Sequence, residues 1–293
     1  MRTIEYTVTD YFDGKKVFNF LRGYVKISVR LLRSLKTVED GIMLNGKRAR
    51  TIDIIHTGDE VIINIPDDST MSIPIDYPLD IVYEDDDLLI INKPPMLPMH
   101  ESHNHQGDTL ANAVAGYLMK KNKPATFRAI GRLDKGTSGI VVCALNSHVA
   151  ARLSGKIKKQ YLALVTAKYD RDGTIDKPIY RPDPLKTYRT ADDRGDYAVT
   201  HYHIEEKGNN YSLMRIDLET GRTHQIRVHF AYLGTPLYGD RMYGTEDSRI
   251  CHQALHCESL TFIHPVTGEK ITVRAEMPED MKGLLEDLRK ENI

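Results

Sequence analysis

The sequence predicts an α+β protein with a largely antiparallel sheet, preceded by a small basic module. Three observations lead there. Beyond residue 76, strand-like apolar runs outnumber amphipathic helical stretches and do not alternate regularly with them, which disfavours a doubly wound fold. Residues 14–50 carry ten Lys and Arg against Glu39 and Asp40, net +8, while 51–92 hold eleven acidic residues and no Lys or Arg. The 293 residues suit one large domain or two unequal ones, and 41% hydrophobic content is enough to fill a core.

Several classes drop out at once. There is no run of 18 apolar residues for a membrane span, and MRTIEYTVTDYF lacks the basic-then-apolar pattern of a secretory signal. Cys143, Cys251 and Cys257 are too few for a disulfide framework. A cytoplasmic, monomeric, soluble protein is expected. The formal net charge of −1 taken alone speaks against indiscriminate nucleic-acid binding, but its uneven distribution reopens the question.

The basic stretch reads as a module over 11–66. Val17, Phe20 and Leu21 fall at helical spacing, and Ser28 can cap a second helix whose Leu31, Leu32 and Leu35 face a small core. Arg30, Arg33 and Lys36 then occupy its outer face. Ile42–Leu44, the turn Asn45–Gly46 leading to Lys47 and Arg48, and Val61–Ile65 read as short strands. Residues 67–75 suit a linker, and Asp85–Asp87 reads as a solvated turn.

The second domain is expected over 76–289. Strands are predicted at Leu88–Asn92, Ile140–Ala144, Tyr161–Thr166, Ala198–Ile204, Ser212–Leu218 and Ser259–Ile263; helices at Thr109–Lys120, Ser147–Gly155 and Thr223–Leu233.

Three segments can carry chemistry. GRLDKGTSG at 131–139 is a turn-rich loop running into an apolar strand, which can hold one reactive side chain firmly. Its Asp134 has Arg132 and Lys135 as sequence neighbours, and these cations would favour the ionised form. In ETGRTHQIRVH at 219–229, Ile226, Phe230 and Leu233 form a buried helical stripe with Arg227 at its edge. A half-buried guanidinium there needs an anionic partner; His224 would lie one turn earlier on the same side, with Arg222 at the helix start. In KKQYLALV at 158–165, Lys158 and Lys159 open an alternating strand that puts Tyr161 on one face with Ala163 and Val165, placed to stack on a base. Cys251, His252, His256 and Cys257 crowd together, but adjacent strand side chains point apart, so no metal site is expected.

Taken together, INKPPMLPMH at 91–100, GRLDKGTSGIVVCAL at 131–145, KKQYLALV, TGRTHQIRVHFAYLGTPLYGDRMYG at 220–244 and ALHCESLTFIHPVTG at 254–268 resemble the RluA family of RNA pseudouridine synthases. Residues 11–66 resemble the αL-type RNA-binding module first seen in a small-subunit ribosomal protein. The resemblance implies that Asp134 is the essential aspartate, that Tyr161 packs on the target base, that Arg227 pairs with the aspartate and that Arg132 touches RNA near the vacated base. It also implies a mixed, mainly antiparallel sheet with flanking helices, and a structured RNA partner, ribosomal more than transfer RNA, gripped further by Arg222, His224, Lys158, Lys159, Arg30, Arg33, Lys36, Lys47 and Arg48, with no cofactor. One departure stands out: the family commonly has His before Arg-Leu-Asp, and this chain has Gly131. Asp134 can attack the sugar, attack the uracil ring or assist loss of a sugar proton, and the residues leave that open. A non-catalytic RNA-binding or ribosome-assembly factor on the same scaffold is the competing expectation.

Overall fold

A computed structural model describes residues 1–66, 72–102, 104–123 and 125–291; part of the expected linker, 67–71, lies outside them. The leading region contains β1 (Arg2–Thr7), α1 (Val17–Gly23), α2 (Val29–Thr37), β2 (Ile42–Leu44), β3 (Lys47–Arg48) and β4 (Glu60–Ile65). Its strands lie in the order β1-β4-β2-β3, all antiparallel. The Ser28 hydroxyl accepts from the Leu31 N–H at 3.0 Å, capping α2. Asn45 and Gly46 both take positive φ, 48° and 73°, the conformation a two-residue hairpin turn requires. Val17, Phe20, Leu21, Leu31, Leu32 and Leu35 are buried together, so the expected helical faces form one core. The sheet begins earlier than expected: β1, outside 11–66, pairs with β4 along its whole length. Its burial alternates, with Arg2, Ile4 and Tyr6 turned inward, but only Ile4 and Tyr6 are apolar, too short a run to read as a strand.

The larger region runs through β5 (Asp80–Glu84), β6 (Leu88–Lys93), α3 (Leu110–Lys120), β7 (Arg128–Ala129), β8 (Ser138–Ala144), α4 (Ser147–Leu153), β9 (Lys158–Val165), β10 (Gly173–Asp176), β11 (Ile179–Tyr180) and β12 (Thr190–Ala191). It continues with β13 (Val199–Lys207), β14 (Ser212–Leu218), α5 (Gln225–Tyr232), β15 (Leu255–Ile263), β16 (Lys270–Arg274) and α6 (Glu279–Lys290). The main sheet has the order β10-β13-β14-β9-β15-β8-β6-β5, with β16 on β15 and β7 on β8; among the described residues only β8 and β15 pair in parallel. It is the mixed, mainly antiparallel sheet expected. Strand β9 shows how its two faces are used: Tyr161, Ala163 and Val165 enter the principal core, while Leu162 and Leu164 pack with Met281, Leu284 and Leu288 of α6.

Several boundaries and one turn differ from expectation: β9 opens at Lys158 rather than Tyr161, β13 runs on to Lys207, and β15 begins at Leu255 rather than Ser259. Helix α4 stops at Leu153, ahead of Gly155, and α5 starts only at Gln225 because His224 adopts a left-handed conformation (φ 59°). Leu233 follows α5 and is exposed, so the buried stripe ends at Phe230. The Asp85–Asp87 turn is not simply solvated. Asp87 is 2% exposed, since Arg2 reaches it with Nε and Nη2 (3.0 and 2.8 Å) and Asn146 donates to it at 2.7 Å. A carboxylate removed from water needs such partners. Arg152 donates to the Val25 carbonyl at 3.4 Å, the Tyr6 hydroxyl lies 3.5 Å from His148 Nε2, and Val266 packs against both cores. These contacts join the leading region to the larger one.

Candidate active site

Asp134 sits in the loop between β7 and β8, and the loop is held from beneath. Lys93, at the end of β6, is fully buried and donates from Nζ to the carbonyls of Pro94, Leu97 and Lys135 at 2.9, 3.0 and 3.1 Å. Burial lowers its pKa to about 7, against the opposing pull of Asp134. The Thr137 hydroxyl accepts from Gln253 at 3.0 Å, and the Gln253 amide lies so close to Gly136 that a Cβ there would require it to shift.

The cation that meets Asp134 is not one of its sequence neighbours. Lys135 turns its ammonium to His105 (3.3 Å), and Arg227 Nη1 donates to Asp134 Oδ2 at 3.0 Å. The rest of the Arg227 guanidinium is clamped by Asp240, with Nε and Nη2 donating at 2.7 and 2.8 Å. Burial would lower the Arg227 pKa, but the two carboxylates outweigh it and the net shift is upward. A bidentate pair fixes the plane of the guanidinium, so the third contact positions Asp134.

His224 reaches the same place by a route the sequence did not suggest. Its left-handed backbone takes it off the helix, yet Nε2 lies 3.8 Å from Asp134 Oδ2. The Tyr243 hydroxyl accepts from the Arg189 N–H at 3.0 Å and is hydrogen-bonded to His224 Nδ1 at 2.8 Å. Burial, together with Arg227 and Arg189, outweighs the opposing pull of Asp134 and lowers the His224 pKa. Gln225 organises the turn before α5: its Oε1 accepts from the Arg222 N–H and Thr220, and its Nε2 donates to the Val199 carbonyl.

Tyr161, 7% exposed, lines the cleft; burial, then Cys257 and Asp134, push its pKa well above the ordinary value, so it stays a neutral phenol. The cleft of ≈ 90 Å³ brings Arg132, Asp134, Tyr161, Arg222, His224 and Arg227 together. Lys158 and Lys159 open β9 outside that lining, with Lys159 Nζ beside Gly131. Gly131 has φ 77°, a conformation L side chains rarely adopt, and a Cβ there would lie 3.1 Å from that ammonium. Arg30, Arg33, Lys36, Lys47 and Arg48 are exposed on the leading region and do not line the cleft. Sequence reasoning missed Lys93, Asp240, Tyr243 and Arg189. Lys93, Asp240 and Tyr243 lie inside segments that carry the family resemblance, and Lys93 also closes the apolar run LLIINK, where a cation entering a core must be paired.

The class that fits this sheet and cleft is that of RNA-modifying isomerases, and named relatives fall within it. Residues 87–232 match the family model described as RNA pseudouridylate synthase. The uncharacterized RNA pseudouridine synthase YjbO of Bacillus subtilis is 36% identical over 271 residues, covering 90% of this chain and 96% of that protein. Ribosomal large subunit pseudouridine synthase D of Xanthomonas campestris is 37% identical over 272 residues, covering 85% of this chain and 82% of the relative. Among solved structures, human RNA pseudouridylate synthase domain containing 1 aligns with TM-score 0.56 at 25% identity, over 72% of this chain and 95% of that one. The chain belongs to the RNA pseudouridylate synthase family, in its RluA branch, and is an RNA pseudouridine synthase.

Proposed function

We propose that this enzyme converts specific uridines of ribosomal RNA to pseudouridine, with Asp134 as the essential carboxylate and Arg227 and Tyr161 as its partners. The observation that carries this reading is the Asp240–Arg227–Asp134 chain of charge-assisted hydrogen bonds, which presents one aspartate to a cleft walled by Tyr161. The names of relatives such as the Xanthomonas enzyme support ribosomal RNA as the substrate. The isomerisation breaks the bond from ribose C1′ to uracil N1, remakes it to C5 and transfers the C5 proton to N1. No electron is gained or lost and no outside group is added.

A uridine within RNA must leave its stack to enter such a cleft, and an aromatic side chain offsets part of the lost stacking. Tyr161 enters as a neutral phenol, suited to packing on the base and donating a hydrogen bond. Asp134 serves attack on C1′, attack on the ring, or removal of a ribose proton from the same position. Deuterium at ribose C2′ separates the last route, which alone gives a primary isotope effect. The exposed basic face of the leading region acts as an RNA grip through Arg30, Arg33, Lys36, Lys47 and Arg48. The enzyme works as a cytoplasmic monomer, and among the described residues no helix is long and apolar enough to cross a membrane.

The test is a pseudouridine map of total RNA from cells lacking the protein, before and after incubation with it. New pseudouridine in ribosomal RNA is expected, and Asp134→Asn should lower its rate by at least about 10³-fold. New modification confined to transfer RNA would move the substrate. Undiminished activity in Asp134→Asn would remove the aspartate from the chemistry.

A further inference from the structure

Beside the catalytic cleft lies a second, larger cavity of ≈ 460 Å³ that shares Gly221 and Arg222 with it. Its other wall is the small hairpin β11–β12 and the turn after it. Gly195 packs so tightly on the Ile179–Tyr180 backbone that any side chain would force the hairpin away. Four guanidinium groups line this cavity, those of Arg181, Arg189, Arg194 and Arg222, against the single carboxylate of Asp196.

The way these arginines are held is informative. Arg194 is fixed by Asp192 at 2.9 and 2.6 Å and lies 4.6 Å over the Tyr180 ring. Arg222 donates from Nε to the Tyr197 carbonyl at 3.0 Å, with Asp196 at 4.0 Å. Arg181 donates from Nε to the Lys186 carbonyl at 3.0 Å, and Arg189 directs Nη1 to the carbonyls of residues 186–188. Backbone carbonyls orient a guanidinium without neutralising it. Among the described residues, neither Arg181 nor Arg189 has a carboxylate within ion-pair distance. Burial lowers the Arg189 pKa, and repulsion from Arg181 lowers it further. Like charges gathered around a cavity, each with N–H groups still free, make a receptor for an anion with several acceptor oxygens.

The geometry points to this cavity as a phosphodiester subsite, in which Arg181, Arg189, Arg194 and Arg222 hold the RNA backbone on one side of the target uridine. The inference rests on the RNA-modifying reading above and deepens it. Because Arg222 borders both cavities, a strand whose uridine enters the catalytic cleft lays its adjoining phosphates among the other three arginines. Holding the flanking backbone helps keep the target nucleotide out of its stack.

The experiment uses the full-length enzyme and a stem-loop RNA in which it has already been shown to form pseudouridine, so that failure of the underlying reading appears at that earlier step. Arg181→Gln/Arg194→Gln should raise KM about tenfold, with the effect in KM rather than kcat. The slope of log KM against log salt should fall by about 0.7 for each phosphate the variant no longer neutralises. Methylphosphonates, which remove one backbone charge at a time, are then scanned around the uridine. One or two adjacent positions should raise the KM of the unaltered enzyme and leave that of the variant unmoved. Arg181→Lys/Arg194→Lys should recover part of the affinity. An unchanged KM and salt slope in the Gln variant would overturn the subsite, and so would a variant as sensitive as the parent at every methylphosphonate.

Discussion

The leading region and the candidate active-site cleft are both rich in cations, but they hold them in opposite ways. Arg30, Arg33, Lys36, Lys47 and Arg48 stand in solvent with no ion pair among the described residues. Arg227 and Lys93 are buried, one between two carboxylates and the other among three carbonyls. Exposed cations add little to folding and remain free to meet an outside anion. Buried cations must be satisfied internally, and in being satisfied they fix the atoms around them. The same residue types are therefore left available in one region and fix geometry in the other.

The sharpest way to break this contrast is Arg227→Met, which leaves Asp240 buried with no cation. A loss of about 3–5 kcal/mol is expected in urea unfolding, because breaking one side of a buried pair strands the other. A fall of about 10²-fold or more in single-turnover rate should accompany it. A variant as stable as the parent would show that the Asp240–Arg227 pair is not the internal constraint described.

Next in size is a pH effect where the two regions meet. His148 is buried, and burial, with Arg152 adding to it, lowers its pKa from 6.5 to about 4. The unfolded chain takes up this proton as pH falls below about 6.5, whereas the folded one does not. The histidine's contribution is therefore intact above that pH and is lost downward toward pH 4, by up to about 1.4 kcal/mol per unit. His148→Gln should flatten this part of a stability-against-pH curve, and an unaltered curve would exclude His148 as its source.

Arg2→Met tests the other polar tie between the regions. It leaves Asp87 with Asn146 as its side-chain partner, for an expected cost of about 1–3 kcal/mol, read as a lower Tm. Smallest in stability is Arg30→Gln/Arg33→Gln/Lys36→Gln, expected within about 0.5 kcal/mol per site. Its effect should appear instead in weaker RNA binding with a shallower salt dependence, measured by titration at several ionic strengths. Binding that keeps its salt slope would remove the proposed grip from this face. Charge substitution is preferable here to deleting the region, because deletion would also uncover Asp87.

What the sequence made legible follows from range. Val17, Phe20 and Leu21, or Tyr161, Ala163 and Val165, announce their faces because helix and strand periods are local. Asp134, Tyr161 and Arg227 could be named together because each lies in a distinctive segment. The supports could not. Asp240 lies 13 residues beyond Arg227 in irregular chain, and nothing local distinguishes it from a surface aspartate. Asp87 belongs to an acidic run that reads as solvated, and its burial depends on an arginine 85 residues away. Helical spacing alone sets His224 near Arg227; the structure keeps the proximity and replaces the reason with a left-handed turn.

The Arg2–Asp87 contact also has a consequence in time. A ribosome makes chain in one direction, so β1 can pair with β4 once residue 65 has emerged, and the small core can close while later residues are still being added. Asp87 is made later and Asn146 later still, so the smaller unit is free to swivel until the larger one has been assembled enough to catch it. The angle between the leading region and the cleft is thus among the last features of the molecule to be set.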